Sequence, residues 1–377
     1  MRIGFDAKRL FNNFTGLGNY SRFVVKSLQD HTHGNEYFLY TPKRKHYPGV
    51  EAISSNAHTQ TITPSALYKI TGTSSLWRSW GISLEASIKS IEVFHGLSQE
   101  LPLGLPRRVK KIVTVHDLIF LRYPELYKRI DAKIYESKVA KACEIADQII
   151  AISQQTADDL KTFLNVSPSR IKVIYQGCHQ QFRQKVSTLD LEQVRSKHKM
   201  PSEYLLNVGT LEKRKNVMLA VRALGLLKDQ LRLSLVIVGR ETAYKQDVVQ
   251  EATRVGVLDQ LIFLHNVAFH DLPAIYQGAS IFLYPSFFEG FGIPIVEAIE
   301  SGVPVISSKG SCFEEAGGPD SIYIDPAQPV DLAEQILKVM LDIPKRQSMI
   351  SCGKEYVKRF EPNRIADELM KVYAGVS

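Results

Sequence analysis

Residues 281–308 read IFLYPSFFEGFGIPIVEAIESGVPVISS, and this stretch decides the fold. Ile281 to Tyr284 is an apolar run with the length of a buried strand. A loop containing Gly290 and Gly292 follows, then a helix opened by Pro294 and stopped at Gly302, then a second apolar run, Val303 to Ile306. Strand, loop, helix and strand in that order form one unit of a parallel sheet. Glu289 falls in the loop and Glu297 one turn into the helix. Glycines beside a helix N-terminus leave backbone N–H groups free, and those attract phosphate. A diphosphate there would put one carboxylate near its sugar and the other near its nucleoside. The alternative is an ordinary strand–helix unit with two solvated glutamates.

The same alternation extends in both directions. Upstream, strands are expected at Arg2–Ala7, Tyr37–Tyr40, Val93–His95, Lys111–His116, Gln148–Ile152 and Ile171–Tyr175. A helix is expected from about Tyr20 to Leu28, a lysine-rich one over 126–147, and one capped by Ser153 that runs through Leu164. Residues 63–90, which carry Trp77 and Trp80, fit neither period. Residues 178–202 are polar and read as a linker plus a helix. The pattern then restarts with strands at Tyr204–Val208, Leu233–Val238 and Ile262–Leu264 and helices at Asn216–Lys228 and Asp271–Gln277, ahead of the opening unit. Glu361–Tyr373 reads as a last helix. Two doubly wound α/β domains are expected, 1–180 and 200–360.

The bulk properties fit that picture. The chain has 377 residues, 44% of them hydrophobic, which is ample for two cores. No run of eighteen apolar residues occurs, and MRIGFDAKRL lacks the apolar segment of a signal peptide. Cys143, Cys178, Cys312 and Cys352 are widely spaced and match no metal pattern, so free thiols in a reducing cytosol are expected. Residues 1–183 hold 25 Lys and Arg against 15 Asp and Glu; the remainder holds 22 against 24. Basic clusters stand at Arg107, Arg108, Lys110 and Lys111, and along Lys128, Arg129, Lys133, Lys138 and Lys141. They are either a solvated basic face, a contact for an anionic membrane with Trp77 or Trp80 as anchors, or a contact for a phosphorylated acceptor. No nucleic-acid reading module is visible.

Three further motifs carry chemistry. In Asn207-Val208-Gly209-Thr210-Leu211-Glu212-Lys213-Arg214-Lys215-Asn216, two cations stand just before a helix. Cations beside N–H groups are what a diphosphate leaving group needs as charge builds on it. In Thr15-Gly16-Leu17-Gly18-Asn19-Tyr20, a dinucleotide fingerprint is incomplete, because the third glycine and the later acidic residue are missing. Gly16 and Gly18 either let backbone approach donor phosphates or acceptor, or form a plain left-handed turn. His116-Asp117 ends a strand, where a polar pair faces a crevice; His95 ends another and is the weaker candidate. No Asp-x-Asp pair stands at a strand end, so no metal ligands are assigned.

The run EGFGIPIVEAIESGVPVISS, with Glu315-Ala316-Gly317 and Tyr323-Ile324-Asp325-Pro326, resembles the glutamate-x7-glutamate signature of retaining GT-B glycosyltransferases, in particular glycosyltransferase family 4. Gly209, Thr210, Arg214, Lys215 and Asn216 resemble that family's donor loop, although some members place an arginine where Thr210 stands. Thr15–Tyr20 and Thr114–Leu118 resemble its glycine-rich loop and acceptor-side stretch. The resemblance implies two Rossmann-like domains facing across a cleft, the nucleotide sugar on the second and the acceptor over the first, with a C-terminal helix, 361–377, on the first. It implies that Glu297 holds the ribose and Glu289 the donor sugar. Gly290, Phe291 and Gly292 would offer N–H groups, and a carbonyl at His116 would face the reacting ring. It also implies a metal-independent reaction that retains configuration and needs no cofactor. The style is that of bacterial surface-polysaccharide enzymes, many of them mannosyltransferases. That favours GDP-mannose over a UDP-sugar, a saccharide or lipid-linked acceptor, and a cytoplasmic location with the inner face of the plasma membrane as a docking place. A nucleotide-sugar epimerase of the same fold and a non-catalytic two-domain sugar-binding protein are the alternatives.

Overall fold

The computed structural model describes residues 1–45, 48–65 and 77–375. The chain divides into two compact units, Met1–Gly177 with the segment from Phe360 onward, and Cys178–Arg359.

The first unit is built on seven parallel strands: β1 Arg2–Asp6, β2 Glu36–Tyr40, β3 Thr59–Ile62, β4 Val93–Gly96, β5 Lys110–Val115, β6 Gln148–Ala151 and β7 Ile171–Val173. Their order is β3-β2-β1-β4-β5-β6-β7. Helices cover both faces, so the inner strands are apolar on both sides. Ile3, Phe5, Phe94, Ile112 and Val113 are fully buried, each contributing about 1.5–3 kcal/mol by leaving water. The helix Pro362–Ala374 belongs to this unit and packs on the helix Gly16–His31. Tyr373 Oη meets His95 Nδ1 at 2.7 Å, and Lys110 Nζ donates to the Val372 carbonyl at 2.6 Å.

The second unit repeats the plan with β8 Tyr204–Val208, β9 Ser234–Val238, β10 Leu261–Leu264, β11 Ile281–Tyr284, β12 Val305–Ser308 and β13 Ile322–Ile324. All pair in parallel, in the order β10-β9-β8-β11-β12-β13. Leu205, Leu235, Ile237, Ile281, Leu283 and Ile306 lie in one core with the helix Val217–Leu227. The sheet changes winding direction between β8 and β11. Their backbones pair only at Leu205–Ile281 and Leu206–Phe282. Beyond that, the buried Asn207 amide donates to the Leu283 carbonyl at 2.8 Å and ties the two strands together.

Several boundaries differ from the sequence reading. The strand expected at Val303–Ile306 runs Val305–Ser308, because Gly302 takes a left-handed turn and Pro304 cannot donate to a ladder. The first long helix starts at Gly16 rather than Tyr20. The Asn13 side chain accepts from the backbone N–H groups of Thr15 (2.9 Å) and Gly18 (3.2 Å), which caps the helix four residues early. Neither Gly16 nor Gly18 has a positive φ, so the plain left-handed turn is ruled out. Within 63–90, part of the segment falls outside the described residues; the rest forms a π-helical turn, Trp77–Gly81, and the helix Ile82–Ile88. Trp77 is buried in the core and cannot anchor at a membrane; Trp80 is exposed. The polar stretch 178–202 packs into the second unit through the helix Thr188–Lys197, with Val186 N donating to Gln277 Oε1 at 3.0 Å.

Candidate functional site

Loops at the carboxyl ends of β8 and β11 meet where the winding reverses, the place where open α/β sheets bind ligands. After β8 the chain makes a single turn, Lys213–Lys215, and Asn216 then adopts a left-handed conformation ahead of the helix Val217–Leu227. Asparagine tolerates that conformation. Its amide also donates to the carbonyls of Pro285 (3.1 Å) and Pro326 (2.9 Å), which pins the turn to the β11 loop. The Phe287 N–H donates to the Arg214 carbonyl at 2.9 Å, and Arg214 Nη1 donates back to the Phe288 carbonyl at 2.6 Å.

This stitching brings three charges together. Glu289 Oε2 lies 2.7 Å from Arg214 Nη1, and Oε1 lies 2.7 Å from Lys215 Nζ. Arg214 also pairs with Glu212 at 2.6 Å, and Lys215 donates to the Tyr284 hydroxyl at 2.8 Å with its ammonium over the Tyr284 ring. The Lys215 stem passes 3.5 Å from where a Cβ on Gly209 would sit, an ordinary van der Waals contact. Burial works to raise the Glu289 pKa, but the charges of Lys215 and Arg214 overcome it and hold the carboxyl below its ordinary range. Burial also works against the charge on Arg214, and Glu289 outweighs it.

Gly292 opens the helix Ile293–Glu300 in a left-handed conformation, with φ +108, that a side chain would strain. The loop from Glu289 to Gly292 is held from the β12 side. Ser311 Oγ donates to the Glu289 carbonyl at 3.2 Å. The Cys312 thiol lies 2.9 Å from the Phe291 carbonyl oxygen and 3.2 Å from that of Glu289. Burial, and next the Glu289 charge, push the Cys312 pKa up, so the thiol keeps its proton for that bond. Glu297 is equally buried, but among the described residues no cation pairs with it. The Tyr276 hydroxyl donates to it at 2.8 Å, and burial raises its pKa to about 7. Ser311, Cys312, Tyr276 and Tyr284 were not singled out in the sequence. Cys312 was read only as a free thiol; its place just ahead of Glu315-Ala316-Gly317 is the signal that could have found it.

The first unit holds the remaining candidates. Gly18 lies in the first turn of the helix Gly16–His31 in close packing: a Cβ there would stand 1.7 Å from the Asn13 carbonyl oxygen, whereas Gly16 has open space. The His116 ring donates from Nε2 to the Leu97 carbonyl at 2.9 Å and meets the Tyr20 ring edge-on at 4.6 Å. Its own carbonyl accepts from Thr156 Oγ1 at 3.2 Å. Burial lowers its pKa to about 4, so the ring is neutral at physiological pH. His95 is bonded on both nitrogens, to Tyr373 Oη and to Thr114 Oγ1 (2.8 Å), and burial lowers its pKa to about 3, the state of a structural histidine. Among the described residues, no three His, Cys, Asp or Glu side chains converge as a metal site, and no helix is long and apolar enough to cross a membrane.

A doubly wound sheet with a buried Glu289 and the half-buried cations Arg214 and Lys215 at its switch point can hold a dianionic phosphate group on the cations and hydroxyls on the carboxylate. Residues 14–181 match the family described as Glycosyltransferase Family 4, and residues 190–356 match Glycosyl transferases group 1. The chain is a glycosyltransferase. Among its relatives is O-antigen chain mannosyltransferase B of Escherichia coli, 27% identical over 285 residues, 74% of each chain. Another is O-antigen chain mannosyltransferase RfbU of Salmonella typhimurium, 27% identical over 258 residues, 68% of this chain and 67% of that one. The crystal structure of Anabaena HepE in complex with UDP and glucose superposes with a TM-score of 0.75 over 100% of both chains at 17% identity, a likeness of fold. That fold is GT-B, two parallel-sheet α/β domains.

Proposed function

We propose that this glycosyltransferase moves a mannosyl group from GDP-mannose to a saccharide or lipid-linked saccharide of a surface polysaccharide, with retention and without a divalent metal. The observation that carries the reading is the triad of Glu289, Arg214 and Lys215. A sugar diphosphate entering beside it would share the two cations with Glu289. Because the carboxyl already exists as the anion, no proton has to move before the sugar hydroxyls donate to it. As the glycosidic bond breaks, negative charge grows on the departing diphosphate, and the contacts of Arg214 and Lys215 strengthen with it. Glu297 would take the ribose hydroxyls. The N–H groups of Gly290, Phe291 and Gly292 would face sugar and phosphate, and Gly209, Gly16 and Gly18 would admit backbone close to the ligands. His116, neutral and fixed, would line the sugar side through its backbone rather than act as an acid.

The mannosyl choice is supported by the names of the two O-antigen relatives. A UDP-sugar is the second reading, supported by the UDP and glucose in the HepE complex. Thermal-shift titration with GDP, UDP and ADP and their sugars tests the pair. Stabilisation by GDP and GDP-mannose with none by UDP is expected. A preference for UDP would replace mannose in this reading, and no shift with any nucleotide would end it.

A further inference from the structure

After β12 the chain runs from Lys309 to Cys312 and turns back to the loop that carries Glu289. Lys309 N donates to the Ile324 carbonyl of β13 at 2.8 Å, so the segment leaves from a fixed point. Gly310 and Ser311 then both take left-handed backbone, with φ +78 and +55. Glycine does so freely; serine does not, and a residue with a Cβ in that region is held there by its surroundings. The turn places two side chains. The Ser311 hydroxyl donates to the Glu289 carbonyl at 3.2 Å, and the Glu289 N–H donates back to Ser311 Oγ at 3.5 Å. Cys312, fully buried, brings its thiol 2.9 Å from the Phe291 carbonyl oxygen and 3.2 Å from that of Glu289. A thiol has one proton to give. With Ser311 serving Glu289, the Cys312 proton goes to Phe291, the closer oxygen.

Holding those carbonyls fixes the groups behind them. Among the described residues no peptide bond is cis. In a trans peptide the C=O and the following N–H share one plane and point in opposite directions. The Glu289 carbonyl shares its plane with the Gly290 N–H, and the Phe291 carbonyl with the Gly292 N–H. Drawing both carbonyls toward Ser311 and Cys312 therefore turns both N–H groups to the other side of the loop. Gly292 opens the helix Ile293–Glu300, and among the described residues its N–H has no protein acceptor. We propose that Cys312 and Ser311 are positioning residues of the transfer reaction, Cys312 aiming the Gly292 N–H and Ser311 the Gly290 N–H at oxygens of a bound nucleotide diphosphate sugar. The inference rests on the donor reading of this loop and adds what keeps the loop in its working direction. The thiol makes and breaks no bond. An N–H already aimed at a departing diphosphate needs no reorganisation as charge grows there, whereas a peptide free to rotate has to be aimed anew.

Cys312→Ser and Cys312→Ala test it, because the two replacements are nearly equal in volume and only serine keeps a proton donor. Donor hydrolysis by the full chain is followed with GDP-mannose, or with UDP-glucose where UDP is the nucleotide that stabilises the protein, well below every melting transition. Cys312→Ala should lower kcat at least about tenfold and raise donor KM less, and Cys312→Ser should recover most of the loss. The Gly292 amide gives a readout without turnover. Phe291–Gly292 is the one Phe–Gly pair in the sequence, so isotope labels on the phenylalanine carbonyl carbon and the glycine nitrogen isolate its NMR signal. Adding the nucleoside diphosphate should move that amide proton downfield in the wild type and in Cys312→Ser, and leave it near its free position in Cys312→Ala. A role in packing alone would lower the melting temperature of both replacements yet leave kcat and the Gly292 shift the same in the two, and that result overturns the proposal. So does a Gly292 amide that answers the nucleotide equally in wild type and Cys312→Ala. A wild type that no nucleotide stabilises ends the donor reading itself and this proposal with it. A wild type that binds and turns over, matched in both by Cys312→Ala, ends the proposal alone.

Discussion

Glu289 and Glu297 are both about nine-tenths buried, yet their surroundings send them to different charge states. Glu289 has two cations and stays ionised; Glu297 has one tyrosine hydroxyl, and burial raises its pKa from 4.5 to about 7. The sign for Glu297 follows from linkage. The folded form binds a proton that the unfolded form has released between the ordinary carboxyl pKa and about 7. Its stability contribution is therefore complete below about 4.5 and is lost as pH rises through about 7, by about 3 kcal/mol in all. Glu297→Gln should flatten that part of the melting-temperature profile between pH 5 and 8. A carboxylate accepts two ribose hydroxyls better than a carboxylic acid does, so nucleotide binding near pH 6 should release a proton. Calorimetry in buffers of different ionisation enthalpy measures it, and a proton count of zero would remove Glu297 from the ribose. Glu297→Gln should raise donor Kd about tenfold. Arg214→Ala and Lys215→Ala act differently: they should lower kcat more than they raise donor KM, since their contacts grow with the leaving charge. Steady-state kinetics separates the two, and a rise in KM alone would make them binding residues only. The identities of these charged groups were legible in the sequence. Their mutual pairing was not, because it is a contact between the ends of two strands far apart in the chain.

At the scale of elements, the glycine-rich start of the helix Gly16–His31 splits into two cases. Gly18→Ala would drive a Cβ into the backbone oxygen of Asn13, which cannot move without uncapping the helix, so it should cost at least about 2 kcal/mol. Gly16→Ala meets nothing, lies at a helical φ and should be neutral or stabilising by up to about 1 kcal/mol. Urea denaturation of both variants checks this, and equal losses would disprove the packing account. If Gly16→Ala is stable but slow in transfer, its role is close approach to a ligand. The sequence showed two glycines and an asparagine. It could not show that Asn13 folds back to cap the helix, which decides where the helix begins. Long apolar runs such as Leu233–Val238 were read almost to the residue, because a strand buried on both faces admits nothing polar. The edge strand Thr59–Ile62 was missed for the opposite reason: half-exposed, it reads TQTI and carries no apolar signature.

For the molecule as a whole, both sheets wind outward from a central pair of strands, β1 with β4 and β8 with β11. Alternating strands and helices predict that plan, but only the strand order shows that Arg214, Lys215 and Glu289 flank the reversal point. The stereochemical prediction belongs to this scale, because it depends on what the switch point supplies. Inversion needs a base on the face of the sugar opposite the leaving group. The second unit's switch point instead concentrates cations and a helix start where a diphosphate would depart, and its carboxylate is already committed to two cations. Charge stabilised there loosens the bond to the sugar and leaves an oxocarbenium-like ring. The departing phosphate oxygen can then accept the acceptor's proton on the face it has just left, so the new bond forms where the old one broke. Two cations fixed at 2.7 Å from Glu289 would do the work that a divalent ion does elsewhere, so turnover should persist in EDTA. Activity lost in chelator and restored by Mg²⁺ or Mn²⁺ would take the leaving-group role from Arg214 and Lys215. NMR of the first product reads the anomeric configuration from the one-bond C1–H1 coupling, since the H1–H2 coupling of a mannoside is small in both anomers. An α-linked donor should give an α-linked product, and a β-linkage would mean that a base lies outside this switch point.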